Sequence, residues 1–474
     1  MTPALSVPAV PAVPPAATPP PAEAVVPRGD FTPVITLVEA AIAANRMPGA
    51  VVQVGHAGQT VFRRAFGSRK LPGEPGLDGA PAPAEPMTED TIFDLASLTK
   101  SLATATAVLQ LMEKGKVGLD DPVQDYLPEF NPDDDPRRAA VTVRMLLTHT
   151  SGLTGDLSRS GPWGLDPADK AEGLRRALGT PVELEPGGVF HYSDTGFILL
   201  GAILEKITGQ TEDVYVRATV FAPLGMTDTR YLPAAKACGP HRVIGTAIAV
   251  DPAATGGDCP AGAWSTGLLS RVAPTARDED TPELNPDRDR LLRGTVHDPT
   301  ARRMGGVTGN AGLFSTVRDV GRFATALLDR RAGRPSAFPL KQSTVELMTT
   351  PQQPGHTPGQ VEAAENATRY AVAATPNVAD PLLAPSYPAI PGQDLRGLGW
   401  DIDTPYSLPR GMIFPVGSFG HAGFTGTSLW IDPGSDTYVI VLANVIHTRG
   451  GPPISPLAGA VATETARALG LYGS

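Results

Sequence analysis

Strand-forming segments lie at both ends of this chain, and the long stretch between them is patterned mainly for helices. Near the start, Ala50–Gly55 and Thr60–Phe66 read as two strands joined by a turn containing Gly58. Near the end, Leu398–Asp401, Ser428–Asp432 and Tyr438–Val445 read the same way. Helical periodicity runs from Phe31 through Val34, Leu37, Val38, Ala41 and Ile42 to the Met47-Pro48-Gly49 breaker, and a last amphipathic helix spans about 455–469. The remote strands can share one sheet only if the middle of the chain is inserted between them. This predicts a discontinuous α/β lobe, 31–96 plus 300–474, holding a mainly helical lobe, 97–299, with a loop-rich insertion at 233–299. Residues 315–330 and 340–350 read as helices, whereas 352–395 is Pro-rich with little periodicity, a surface excursion or lid.

Composition narrows the function. The 474 residues carry a net charge of −10 and no cluster of Lys or Arg, which argues against a nucleic-acid partner. Apolar content of 41% with 19% charged residues suits a globular chain with a sizeable core, and no apolar run approaches the ~20 residues of a membrane span. Residues 1–30 are Pro- and Ala-rich, without the basic start and continuous apolar core of a signal peptide, and read as a flexible tether. The tether fits a periplasmic or secreted protein whose export signal has been removed, or a cytoplasmic one. Cys238 and Cys259 read as structural, and a disulfide or two free thiols are both compatible with their spacing.

Chemistry concentrates at Ser97-Leu98-Thr99-Lys100, the only Ser-x-x-Lys tetrad, at the head of a helix running to about Lys114 and stopped by Gly115. Residues three apart share a helix face, so the Lys100 ammonium can lie beside the Ser97 hydroxyl. A serine hydroxyl is a weak nucleophile until a neighbouring base or cation activates it. Tyr192-Ser193-Asp194 follows a Pro186-Gly187 turn and precedes a helix from about Thr195 to Thr208. A phenol there can act as a base where cations favour its phenolate, although a packed aromatic is the plainer reading of the residue in isolation. Gly420-His421-Ala422-Gly423-Phe424-Thr425-Gly426 places small residues just before a strand, where a backbone N–H could meet an oxyanion. A glycine-rich turn with a solvated histidine explains that segment equally well in isolation.

Taken together, these three segments resemble the Ser-x-x-Lys, Tyr-x-Asn and Lys/His-x-Gly motifs of the serine penicillin-recognising enzymes. The resemblance is to the branch holding class C beta-lactamases, low-molecular-weight penicillin-binding proteins, D-aminopeptidases and family VIII-type esterases. Leu146–Leu153, Pro223–Thr229 and Gly309–Thr316 are similar to further segments of that branch, and the likeness covers roughly 32–470. It implies a beta-lactamase/transpeptidase-like α/β fold, an antiparallel sheet flanked by the N- and C-terminal helices with the helical lobe inserted. It also implies Ser97 as the acylated nucleophile, Lys100 as its proton-handling partner and Tyr192 as the general base. Asp194, His421, Gly423 and Phe424 would border the substrate, with the N–H groups of Ser97 and Phe424 forming the oxyanion hole.

Two departures bear on substrate. Asp194 stands where the family usually has Asn, and His421 where class C beta-lactamases have Lys. A carboxylate cannot donate to a substrate amide, and a neutral imidazole attracts a substrate carboxylate less than an ammonium does. Val296-His297-Asp298-Pro299 with Gly305-Gly306 resembles the penicillin-binding-protein side of the branch. The expected activity is therefore D-Ala-D-Ala carboxypeptidase, with a carboxylesterase or a non-catalytic binding relic as alternatives. The partner is a small molecule or peptide with an ester or amide carbonyl, and no cofactor or metal is expected. His149 reads as part of a structural loop, and Ala263–Gly267 only loosely imitates a Gly-x-Ser-x-Gly elbow.

Overall fold

The structure is a computed structural model and describes residues 25, 28–161, 163, 167–244, 247–251, 253–254, 258–279, 285, 288–374, 393–448 and 455–474. Most of the tether at 1–30, and the part of the Pro-rich excursion at 375–392, lie outside the described residues.

An antiparallel sheet of eight strands carries the fold. Its strands are β1 (Gly49–His56), β2 (Gln59–Lys70), β3 (Glu85–Pro86), β4 (Leu395–Arg396), β5 (Asp401–Asp403), β6 (Phe419–Gly423), β7 (Thr427–Asp432) and β8 (Thr437–Ala443), in spatial order β4-β5-β6-β7-β8-β1-β2-β3. The two ends of the chain meet at the centre, where Ala50 pairs Ala443 and Val54 pairs Val439. Period-two alternation divides the side chains between the two faces. Val52, Val54, Trp430, Val439 and Val441 face α1 (Thr32–Ala43) and the C-terminal helix Ser455–Ala468. Val51, Leu429, Ile431, Ile440 and Leu442 face the larger core. Burying each such side chain contributes about 1.5–3 kcal/mol, which makes this seam the main reason the remote segments stay together.

Three helices on the second face position the chemistry. The helix that follows Ser97 begins at Leu98, winds as a π-helix over Lys100–Ala105 and continues as α2 (Thr106–Glu113). π-Turns are rare and often accompany functional sites. Next comes α3 (Asp194–Thr208), whose N-cap Ser193 Oγ accepts from the Gly196 N–H and which ends at Gly209, φ +67°. The third is α4 (Val317–Arg331).

Three local differences from the sequence reading stand out. Gly359–Ala374 is a helix, α5, although its small and polar residues give it little amphipathic signal. The glycine-rich segment at 419–423 is itself a strand, β6, paired to β7 from Phe419↔Ile431 to Gly423↔Thr427. The stretch from 233 holds short pairings, such as Ala237–Cys238 with Trp264–Ser265, around a small core of Leu232, Ile248, Trp264, Leu269 and Val272. Cys238 and Cys259 are bonded, with 5.3 Å between their Cα atoms. Among the described residues no helix is long and apolar enough to cross a membrane.

Candidate active site

Ser97 sits on the tight turn between the strand Phe93–Asp94 and the helix that follows. The turn is strained, because Ala96 immediately before Ser97 has φ +45°. Asp94 holds it. Its buried carboxylate accepts from the Ala96 N–H at 3.0 Å and from the His297 N–H at 2.7 Å. Burial pushes the Asp94 carboxyl up to about 6, against those two N–H groups. The backbone oxygens of Asp94 and Leu95 accept from Thr425 and Thr427 at 2.7 and 3.0 Å. The end of β6 is thereby tied to the turn that carries Ser97. Gly423 permits the approach, since a Cβ there would lie 2.4 Å from the Leu95 oxygen.

Lys100 is fully buried, and its Nζ donates to Ser97 Oγ at 3.0 Å and to the Asn310 carbonyl at 2.9 Å. Asp194 Oδ1 lies 2.5 Å from the same nitrogen. The Tyr192 phenol faces both Lys100 and Ser97, and Lys100 Nζ lies 5.1 Å from the centre of its ring. Burial opposes the Lys100 charge, but the Asp194 carboxylate and the Tyr192 oxygen outweigh it and raise its pKa. Burial likewise raises the Tyr192 pKa, with Lys100 pulling the other way and Asp194 adding to the rise. The resting site therefore holds an ammonium and a neutral phenol beside the hydroxyl.

Tyr192 is positioned by its surroundings. It precedes α3 by two residues, and the His149 ring stacks on it with centroids 4.3 Å apart. His149 is fully buried, and its Nδ1 accepts from the Ser193 N–H at 3.1 Å. The His149 loop thus reaches the tyrosine directly, a contact its sequence does not signal. On the other sides lie Tyr406 at 5.3 Å and His421 at 6.1 Å between ring centroids. His421 lies in β6, with Nδ1 2.8 Å from its neighbouring Ala422 carbonyl and Nε2 without a hydrogen-bond partner among the described residues. It is 5% exposed rather than a solvated turn residue. Phe424 follows β6 with its ring 74% exposed and stacked over His297 at 6.0 Å.

The structure thus brings Ser97, Lys100, Tyr192 and Asp194 into one contact cluster, with His421 and Gly423 along one wall and Phe424 at its rim. It adds Asp94, Asn310, His149 and Arg396, of which only Asn310 and His149 lie in segments the motifs single out. Asp298 caps the helix Pro299–Arg303, accepting from the Ala301 N–H at 2.6 Å, and burial followed by the Asp194 charge lifts it to about 6. Ser265 only caps a short turn, accepting from the Gly267 N–H at 3.2 Å. Among the described residues no group of three or more His, Cys, Asp and Glu could hold a metal ion.

The motif set, the sheet and the Ser–Lys–Tyr cluster are those of the Beta-lactamase family, to which the chain belongs: the family's model matches residues 34–461. One relative, from Escherichia coli (strain K12) and named "Putative D-alanyl-D-alanine carboxypeptidase", is 29% identical over 406 residues, 83% of this chain and 78% of that one. Another, the N-acetylmuramyl-L-alanine amidase of Bacillus subtilis (strain 168), is 29% identical over 435 residues, 89% of this chain and 81% of that one. Among solved structures, EstCE1, a hydrolase with promiscuous acyltransferase activity, superposes with a TM-score of 0.58 at 22% identity, covering 91% of this chain and 97% of that one.

Proposed function

We propose that this chain is a serine acyl hydrolase of the D-Ala-D-Ala carboxypeptidase type, working through a covalent intermediate on Ser97. The single observation that carries the reading is the 3.0 Å contact of Lys100 Nζ with Ser97 Oγ, with the Tyr192 phenol facing both. Ser97 Oγ attacks the substrate carbonyl carbon, and its proton passes into the Tyr192–Lys100 network. The oxyanion forms against the N–H groups of Ser97 and Phe424. The network then protonates the departing amine, the carbon–nitrogen bond breaks, and the acyl group stays on Ser97. Water repeats the sequence, giving a proton to the network and releasing the acid. Either a phenolate or a neutral lysine serves as the base, so turnover rises with pH.

The name of the Escherichia coli relative and the His297–Asp298 segment support a cell-wall peptide as substrate. One observation favours simple carboxylic esters as a second reading. Asp194 offers Lys100 a carboxylate at 2.5 Å and offers a substrate amide no donor. An ester, whose leaving group needs less help, is less affected by that loss. The bonded Cys238–Cys259 pair supports an exported protein, since disulfides persist in oxidising compartments.

Intact-protein mass after timed incubation with benzylpenicillin, beside the Ser97→Ala variant, tests the reading. A one-to-one adduct that requires Ser97 is expected, together with release of D-Ala from a D-Ala-D-Ala peptide. Turnover of peptide and ester alike surviving Ser97→Ala would overturn it. Ester turnover without adduct or D-Ala release would select the second reading.

A further inference from the structure

Arg396 lies at the end of the short strand β4, and no sequence motif singles it out. Its side chain is 1% exposed, yet Nε and Nη2 have no hydrogen-bond partner among the described residues. Its ion pair is loose, with Nη1 3.4 Å from Asp401 Oδ1. The two Asp401 oxygens already accept from Thr404 and Ser407 at 2.8 and 2.9 Å. A buried guanidinium with two idle donors and a shared counter-ion is unfavourable for folding. Its charge reaches what surrounds it with little screening.

Those surroundings are the aromatic cluster that also encloses Tyr192. The guanidinium carbon is 5.6 Å from the Phe190 ring centre. Phe190 meets His149 edge-on at 6.1 Å and Tyr406 at 6.0 Å, and both of those rings pack on Tyr192. On its other side Tyr192 faces Lys100, whose charge is paired with Asp194 at 2.5 Å. We propose that Arg396 is a positioning residue for Tyr192: its buried guanidinium supplies, from behind the aromatic cluster, the positive potential that Asp194 takes away from Lys100.

The inference rests on the reading of Tyr192 as a proton acceptor. The charged and titratable groups facing Tyr192 are Lys100, Asp194, His149, His421, Tyr406 and Arg396, with Asp156 beside Asp194. Those facing Arg396 are Asp401, Tyr192, Tyr406, His149 and His421, while Asp401 also feels Arg410, itself paired with Asp403 at 2.9 Å. Burial first, then the Arg396 charge, pushes both His149 and His421 well below the ordinary imidazole range. Neither imidazole therefore adds a positive charge near the phenol. Beside Lys100, whose charge Asp194 offsets, Arg396 is the other cation facing the phenol.

Opposite charge changes test this. Arg396→Gln removes the cation, and Asp401→Asn removes its counter-charge while keeping it. For each folded variant, kcat/KM is followed against pH per fluorophosphonate-titrated site, and the His149 and His421 imidazoles are titrated by NMR. The limb along which kcat/KM climbs is expected to move up by about one pH unit in Arg396→Gln and down in Asp401→Asn. The imidazole titrations should move up in Arg396→Gln, and Arg396→Lys should restore both readouts. Limbs that stay put, or move the same way in both charge variants, would overturn the proposal. Should Arg396→Gln fail to fold, the Asp401→Asn shift and an imidazole titration near 6.5 in the unmodified protein remain as decisive results, the latter against it. Undiminished turnover in Tyr192→Phe would instead overturn the proton-acceptor reading on which the proposal stands.

Discussion

Lys100 Nζ and Asp194 Oδ1 are 2.5 Å apart in a site where the lysine is fully buried. The pair is held from both sides, Lys100 by the Asn310 carbonyl and Asp194 by its place in the first turn of α3. A carboxylate at a helix N-terminus is favourable, and a buried ion pair this close keeps the lysine protonated. The same contact withholds a neutral amine from Ser97.

Asp194→Asn should therefore shift the pH dependence. Asp194 raises the pKa values of both Lys100 and Tyr192, so its removal lowers both. The limb along which kcat/KM climbs is expected to move down by about one pH unit. At pH 7 acylation by a D-Ala-D-Ala peptide or benzylpenicillin should rise about tenfold, because the new amide also supplies a donor. Pre-steady-state acylation rates across pH check this. A slower variant with its limb in place would mean that the Asp194 carboxylate itself carries the proton.

The His149 ring is the other support of the phenol. His149→Ala removes the 4.3 Å stack on Tyr192 and the acceptor of the Ser193 N–H. It also leaves a non-glycine residue at φ +57°, as in the original. We expect a loss of about 2–4 kcal/mol in stability and a fall in kcat of tenfold or more, with KM nearly unchanged. Urea melts and steady-state kinetics separate the two. An unaltered kcat in folded protein would mean that the loop only packs.

How far these relationships can be read in advance depends on how local they are. Ser97 and Lys100 meet because a three-residue spacing on a helix turns both to one side, and Tyr192 is tied to the start of α3 by the Ser193 cap. The central sheet is legible for a similar reason, since β1, β7 and β8 are short runs buried on both faces and rich in apolar residues, which declare themselves as strands. Arg396 has no such local signal. It becomes part of the site only because β4 pairs with β5, Asp401 pairs with Gly420 of β6, and that strand carries His421. Asp94 is similar: its role needs the His297 backbone, which arrives from about two hundred residues away. Helix α5 was hidden by composition, because Ala, Asn, Glu and Gln at mixed positions give no apolar stripe.

Glu212 yields a stability prediction away from the chemistry. It is 1% exposed, and its Oε1 lies 2.6 Å from Thr104 Oγ1, which also lies 2.7 Å from the Gly309 carbonyl. One hydroxyl proton cannot serve both oxygens, so a protonated Glu212 completes the chain by donating to Thr104. Burial pushes this carboxyl up to about 7. A raised folded pKa means that its stabilising contribution is present below the ordinary value of 4.5 and is lost as pH rises through about 7. Glu212→Gln should thus exceed the unmodified protein in stability by about 2–3 kcal/mol at pH 8 and match it near pH 4. Melting temperatures at the two pH values decide it, and a difference that does not grow with pH would count against it.

The Cys238–Cys259 bond closes a loop with a sequence separation of 21 beside a small core around Trp264. Cys238→Ser with Cys259→Ser is expected to destabilise the protein by about 3 kcal/mol through the freed unfolded chain. Ester turnover at 25 °C should survive, because neither cysteine belongs to the Ser97 cluster. Thermal melts and turnover of the double variant test both halves.

Gly423 leaves no room for a side chain. A Cβ there would stand 2.3 Å from Thr427 Oγ1, 2.4 Å from the Leu95 carbonyl and 3.3 Å from the Ala96 Cβ. A backbone oxygen cannot yield as a side chain can, so Gly423→Ala must push β6 away from the turn that carries Ser97. That movement would carry the Phe424 N–H away from the oxyanion and loosen the Thr425 and Thr427 anchors at 2.7 and 3.0 Å. Losing one oxyanion donor lowers kcat by about a hundredfold or more, and a strained core position costs about 1–3 kcal/mol. Fluorophosphonate labelling of the folded variant should slow in proportion to kcat, because that reaction uses the same nucleophile and the same N–H groups. Labelling at the unmodified rate, with only substrate turnover impaired, would place Gly423 in substrate binding rather than in the oxyanion hole.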